Sequence, residues 1–185
     1  KHNHIYFELN NNLILIYNDV RRFGFFKLYN TMQKNRIPFI KKLGLEPFSK
    51  KFTAEYFRKF VENKKKNIKN LLMDQSFVSG LGNIYVNEAL FMSKIYPLRI
   101  CSNLKKKEIK NLILNIKKIL RLSISKGGSS IKDFKNTLGQ SGSFQQFFHV
   151  YGQENKNCSR ISCKGKIITF CLSIRSCFDC SKCQK

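Results

Sequence analysis

The sequence is short of acid: eleven Asp and Glu stand against thirty-five Lys and Arg, a formal charge of +24 over 185 residues. That is far beyond what solubility asks for, and it sets the chain against itself unless a polyanion neutralises it. Nucleic acid is the polyanion this implies, although codon bias toward Lys, Asn, Ile and Phe would raise the lysine count too. Long apolar runs are lacking as well. None reaches the ~18 residues that mark a membrane-spanning helix, and the opening KHNHIYFELN lacks the charged, apolar and small-residue order of a secretory leader. A cytoplasmic chain with no membrane partner is expected. No methionine opens the sequence and its first residues already read as a strand, so further sequence is expected upstream. Cysteine is almost absent before residue 158: Cys101 stands alone, as an inert core thiol, and the other six lie between Cys158 and Cys183. What is plentiful is apolar and aromatic material, 42% and 13% of the residues, enough to bury a core in one large domain or two small ones.

Periodicity divides the chain. Residues 4–9 and 13–17 are short β-prone runs parted by the turn-formers Asn10, Asn11 and Asn12, and Gly24 to Tyr29 continues in the same style. A strand beginning at the N-terminus without neighbours would leave backbone groups unpaired and favour aggregation. From Thr53 the period becomes helical: Thr53 is the expected N-cap, with Tyr56, Phe57, Phe60 and Val61 on one face. Asn67 to Met73 and Gly82 to Met92 predict two more helices. Leu104 to Ser125 predicts a long one, buried along Ile109, Leu112, Ile113, Ile116, Ile119 and Leu120 and lysine-rich on the other side. Gly127 and Gly128 stop that helix and Ser129 caps a short following one. Gly139 to Ser143 reads as a mobile loop, and Gln145 to Tyr151 as a strand leading to the cysteines.

The cysteine cluster suits a metal better than disulfides in a reducing compartment. The favoured ligands are Cys158, Cys163, Cys180 and Cys183, two thiolate pairs on facing turns that close a tetrahedron around one structural Zn²⁺. Cys180 and Cys183 have the tight spacing of a single turn, whereas four residues separate Cys158 from Cys163. Gly165, Ile167 to Phe170 and Ile174 to Phe178 supply the hairpin between them. Cys171 or Cys177 could replace a ligand or be ordinary thiols. So small a finger cannot build a core, and the metal would largely supply its folding free energy.

Several segments, in order, resemble the bacterial formamidopyrimidine-DNA glycosylase family: Asp19-Val20-Arg21-Arg22-Phe23-Gly24, with Val where the family has Pro; Leu43 to Pro47; Ile68 to Gln75 followed by Gly80 to Leu90; Gly127 to Phe134; Val150-Tyr151-Gly152; and the terminal cysteines. The resemblance implies an α+β chain with three parts: residues 1–48 as the remnant of a β-sandwich, 49–145 as a helix-two-turn-helix DNA-binding domain, and 146–185 as a four-cysteine β-hairpin zinc finger. It implies a monomer that binds double-stranded DNA carrying an oxidised purine or an abasic site. It also implies glycosylase and AP lyase chemistry by β,δ-elimination in the complete protein. His2, Lys64 and Asn83 match DNA-contacting positions, Asn83 at the turn that opens a helix. Arg21 and Phe23 match the pair that fills the gap when a nucleotide flips out. Arg175 matches the arginine at the tip of the finger hairpin, assigned as proton donor in δ-elimination; its high pKa suits electrostatic stabilisation of the leaving phosphate better. Residues Gln140 to Phe144 match a loop over the flipped base. From residues alone, Lys64 would be a solvated charge, Arg21 and Phe23 strand-end packing, and His2 a surface residue.

Two departures stand out: Gln153 sits where the family carries arginine, and the first cysteine pair has two extra residues. The family's proline-amine nucleophile and its supporting glutamate and lysine would precede Lys1, so these 185 residues are expected to grip DNA without lyase chemistry. The alternatives are a non-catalytic damaged-DNA-binding remnant, a zinc-finger RNA- or ribosome-binding protein, and a relative that prefers oxidised pyrimidines.

Overall fold

The computed structural model describes residues 1–32, 37–131 and 139–185. It divides into two compact units, Lys1–Lys41 and Lys42–Lys185.

The first unit holds an antiparallel hairpin of β1 (Asn3–Glu8) and β2 (Ile14–Asn18), irregular backbone over residues 19–30, and the single-turn helix α1 (Pro38–Lys41). Tyr6 pairs with Ile16 and Phe7 with Leu15, and the register slips between Asn3 and Ile5. Its apolar side chains stay largely in solvent; Leu13, Ile14 and Leu15 are each more than half exposed. The expectation of strand structure over Gly24 to Tyr29 is not met. Asp19 bends the chain into a loop, and the segment then associates through rings rather than backbone, with Phe26 edge-on to Tyr17 at 4.7 Å and Phe7 5.7 Å away.

The second unit is helical, with a hairpin at its end. α2 (Ala54–Val61) starts where Thr53 accepts a hydrogen bond from the Tyr56 N–H at 3.2 Å, as the sequence predicts. It buries Phe57 and Val61, and Tyr56 and Phe60 pack at the edge of the core. α3 (Ile68–Leu72) is capped by Asn67, whose side chain accepts from Asn70 N–H. α4 (Asn83–Ser93) is the central helix, buried on nearly every side from Val86 to Phe91. α5 (Lys106–Ser125) follows a single turn at Cys101–Asn103 and lays the predicted stripe from Ile109 to Ile119 against α4 and α2, with Leu120 at its margin. The core closes on Phe52, Phe57 and Phe77 with Ile68, Leu71 and Leu72. Gly44 has room for no side chain, since a Cβ there would fall 2.4 Å from the Phe77 carbonyl.

β3 (Ile167–Leu172) and β4 (Arg175–Cys180) form the terminal hairpin. It packs beside Phe91 and Val150 in a second apolar cluster built from Ile167, Phe178, Cys158 and Cys180. The strand expected at Gln145 to Tyr151 is instead a helical turn, Phe144–Phe147, followed by bends. The reason is that the N–H groups of His149, Val150 and Tyr151 are all taken by the Glu88 carboxylate, at 2.9, 3.0 and 2.9 Å. Ser129 pairs with Ser143, which anchors the far end of the Gly139 to Ser143 segment; the short helix expected after Ser129 lies outside the described residues.

Candidate nucleic-acid interface and metal centre

The sulfurs of Cys158, Cys163, Cys180 and Cys183 all lie within 4.8 Å of one another. Cys158 and Cys183 are 3.9 Å apart and Cys163 and Cys180 3.5 Å. Tetrahedral Zn–S bonds of ~2.3 Å place sulfurs ~3.8 Å apart, so the cluster has the dimensions such an ion needs. Gly165 makes the approach possible: a Cβ there would lie 2.7 Å from the Cys180 sulfur, while its carbonyl accepts from Cys158 N–H at 2.8 Å. Burial works against a thiolate at Cys180, yet the N–H groups of Cys183 and Lys182 hold this thiol down at about 7. Burial and the neighbouring Cys180 push Cys183 up, so without a cation the four thiolates do not coexist readily. Cys171 is exposed and Cys177 buried, and neither belongs to the cluster.

The four residues between Cys158 and Cys163 have a use. Arg160 turns back onto the C-terminal end of α4, where its Nη2 donates to the carbonyls of Phe91 at 2.7 Å and Met92 at 3.1 Å, and its guanidinium lies 4.7 Å from the Phe91 ring centre. The turn between the first two cysteines is thereby attached to the last carbonyls of that helix, that of Phe91 accepting from Lys94 N–H as well, at 2.9 Å.

At the other end of α4, the N-cap is Gly82 and no side chain caps the helix, so its leading N–H groups remain available to an anion. The turn that presents them is held from within. Gln75 accepts from Gly80 N–H at 2.8 Å and donates to the Leu81 carbonyl at 3.1 Å. Asp74 accepts from Lys66 at 2.7 Å and from Ser76, contacts that hold its carboxyl down at about 2.

Asn83, the first residue of α4, donates from Nδ2 to the Ser176 carbonyl at 2.9 Å. Lys69 of α3 donates to the same oxygen at 2.8 Å and lies 3.4 Å from Asn87 Oδ1. Lys69 is buried, and desolvation lowers its pKa. Beneath it are Cys177 and Asp179, both pushed up by burial, Asp179 to about 6. Asn70 adds a bond to Ser173 Oγ at 3.1 Å. The hairpin is thus fixed to α3 and α4 from both sides of its turn, and Arg175 projects into solvent as the first residue of β4. Lys69, Glu88 and Arg160 are the residues sequence reasoning overlooked. The available signal was a charge inside an apolar stretch, as at Lys69 between Ile68 and Leu71.

Of the remaining predicted residues, Lys64 is exposed with its ammonium 3.6 Å above the Phe60 ring, while its neighbour Lys66 is committed to Asp74. In the first unit the Asp19 carboxylate gathers the N–H groups of Arg21, Arg22 and Gly24 at 3.0, 2.9 and 2.7 Å, and these bonds, Gly24 foremost, lower its pKa. The loop so formed presents Arg21 with its guanidinium 5.1 Å from the ring of Phe23, which is 78% exposed. His2 joins by its backbone, its carbonyl accepting from Asp19 N–H at 3.0 Å.

Comparison with known proteins agrees with this arrangement. The family described as "Formamidopyrimidine-DNA glycosylase H2TH domain" matches residues 43–135. The formamidopyrimidine-DNA glycosylase of Streptococcus pyogenes serotype M6 is 43% identical over 185 residues, covering 100% of this chain and 66% of its own. That of Bartonella tribocorum is 45% identical over 177 residues, covering 92% and 60%, and that of Rickettsia bellii 43% over 187 residues, covering 100% and 67%. The chain therefore spans about 60 to 66% of the length of the first two relatives. Among solved structures, Lactococcus lactis FPG in complex with Fapy-dG containing DNA superposes with a TM-score of 0.88 at 37% identity, covering 100% of this chain and 66% of that one. The Lactococcus lactis complex with abasic-site DNA gives 0.89 at 37%, covering 100% and 67%.

Proposed function

Because the chain belongs to the formamidopyrimidine-DNA glycosylase family, we propose that it supplies the DNA grip of a base-excision repair enzyme that, complete, removes oxidised purines such as 8-oxoguanine and formamidopyrimidines and then cleaves the abasic strand. The observation that carries this reading is the convergence at Ser176: the uncapped start of α4, Asn83 and the hairpin bearing Arg175 are tied through one carbonyl. Amide donors and a guanidinium fixed in this way suit the phosphates on either side of a distorted nucleotide. Arg175 would hold the leaving phosphate by charge. Arg21 and Phe23 fill the space of the flipped nucleotide, the guanidinium meeting the orphaned base and the ring propping the stack. Lys64 and His2 add backbone contacts, and Gln140 to Phe144 covers the flipped base. The division at residues 48 and 145 is the functional one, between sandwich remnant, helical grip and finger.

Zinc, when bound, would be held by Cys158, Cys163, Cys180 and Cys183 and would stabilise the fold that carries Arg175. The proline amine that the family uses as nucleophile has no counterpart among these residues, so the chain by itself binds without forming a Schiff base. Family relatives bound to Fapy-dG and to abasic-site DNA support the damaged-duplex reading over an RNA-binding one. Gel-shift titration with an abasic-analogue duplex, the same duplex intact, and a matched RNA tests it. Preference for the abasic duplex is expected; equal or tighter binding of the RNA would move the assignment to a ribosomal or RNA-binding protein.

A further inference from the structure

The turn of the terminal hairpin is strained, and a residue that strains it is among the most exposed in the protein. Two residues, Ser173 and Ile174, connect β3 to β4, with Leu172 paired to Arg175. Of the two turns that suit so short a connection, the type I′ turn takes left-handed backbone at both positions, and φ is 48° at Ser173 and 68° at Ile174. Glycine or asparagine adopts that conformation readily, whereas a side chain branched at Cβ is among the worst for it. Among the described residues nothing packs on it to offset the penalty, since Ile174 is 99% exposed. Neither turn formation nor packing accounts for an isoleucine here.

The turn is also rigidly mounted. Asn70 bonds Ser173, and Lys69 and Asn83 bond the Ser176 carbonyl, so Ile174 is presented beside Arg175 at a defined place. A lone exposed apolar side chain is ordinary, but backbone strain kept at a rigidly mounted position beside a cation has its natural use in contact with a partner. Duplex DNA offers both surfaces that such a pair fits: phosphate oxygens for the guanidinium, and the apolar edges of deoxyribose and unstacked bases for a branched aliphatic group.

We propose that Ile174 is a DNA contact in its own right, lying against the deoxyribose edges of the strand whose phosphates Arg175 holds, an assignment that rests on the DNA-grip reading above. The test is equilibrium binding of the zinc-loaded chain to an abasic-analogue duplex over a range of salt, for wild type, Ile174→Asn, Ile174→Leu and Arg175→Gln. Hydrogen exchange of the β3 and β4 amides is followed in parallel. Asparagine suits the left-handed backbone, so Ile174→Asn is expected to protect the hairpin at least as well as wild type while binding about tenfold more weakly, with unchanged salt dependence. Ile174→Leu, apolar but equally strained, stays within about threefold of wild type. Arg175→Gln lowers the slope of log K against log salt by ~0.9, one phosphate contact. Undiminished binding by Ile174→Asn overturns the contact, as does a change in its salt slope, which would mean that only Arg175 had been displaced. Wild type failing to prefer the abasic duplex defeats the underlying reading instead.

Discussion

Lys69 and Asn83, fourteen positions apart on different helices, donate to one acceptor, the carbonyl oxygen of Ser176, at 2.8 and 2.9 Å. A buried ammonium in that role is justified by what surrounds it: Asn87 Oδ1 on one side, and Cys177 and Asp179 beneath.

Lys69→Met removes the donor but keeps the bulk. It removes one of the two donors to the Ser176 carbonyl and leaves the buried Asp179 without its compensating charge, so a stability loss of ~2–3 kcal/mol is expected. Thermal or urea unfolding measures it, with β4 amides losing exchange protection before those of α5. A variant as stable as wild type would show that the ammonium is dispensable to docking.

Glu88→Gln tests the turn that replaced an expected strand. The carboxylate accepts from three backbone N–H groups, and an amide oxygen has neither the charge nor the second acceptor oxygen. A loss of ~2 kcal/mol is expected, read in urea as a lower midpoint at unchanged slope.

The metal site is tested by removal. Chelation or Cys180→Ser should abolish exchange protection in the terminal hairpin and weaken DNA binding, while much of the helical core, built around Phe57, Phe77 and Ile113, keeps its far-ultraviolet signal. Cys171→Ser should change neither, because Cys171 is exposed and outside the cluster. One zinc per chain that survives Cys158→Ser would contradict the ligand assignment.

Acid stability has a definite sign at Asp74. Its carboxyl is held at about 2 by Lys66 and Ser76, so the folded chain binds this proton less tightly than the unfolded chain does. The contribution is present above the ordinary aspartate value of ~3.9 and is lost as pH falls toward 2. Asp74→Asn should therefore flatten the rise in melting temperature between about pH 2 and 5. An unaltered pH profile would show that the contacts with Lys66 and Ser76 do not shift the group.

Much of this was legible because it is local. Thr53 and Asn67 cap their helices through bonds spanning three residues, and the 3.6-residue stripe of α5 is written out from Ile109 to Ile119. Cysteine spacing similarly brought to notice the four that cluster, though not the fate of Cys171 and Cys177. What could not be read depends on partners far along the chain: Lys69 is separated from Ser176 by 107 positions and Glu88 from Val150 by 62. The two failed strands share that cause. Gln145 to Tyr151 has the right residue types, but its N–H groups go to a distant carboxylate. Gly24 to Tyr29 follows a loop organised by Asp19, and its rings find partners where its backbone does not. Arg160 was hidden in what looked like two surplus residues and proved to be the attachment of the metal turn to α4.

These residues are proposed to hold damaged DNA without supplying the nucleophile. Borohydride reduction of the zinc-loaded chain on an 8-oxoguanine duplex and on an abasic-site duplex, beside a gel-shift of the abasic analogue, addresses both halves at once. A lesion-selective shift and no covalent band are expected; a trapped complex would show that an amine of this chain attacks C1′, and a shift indifferent to the lesion would contradict the grip.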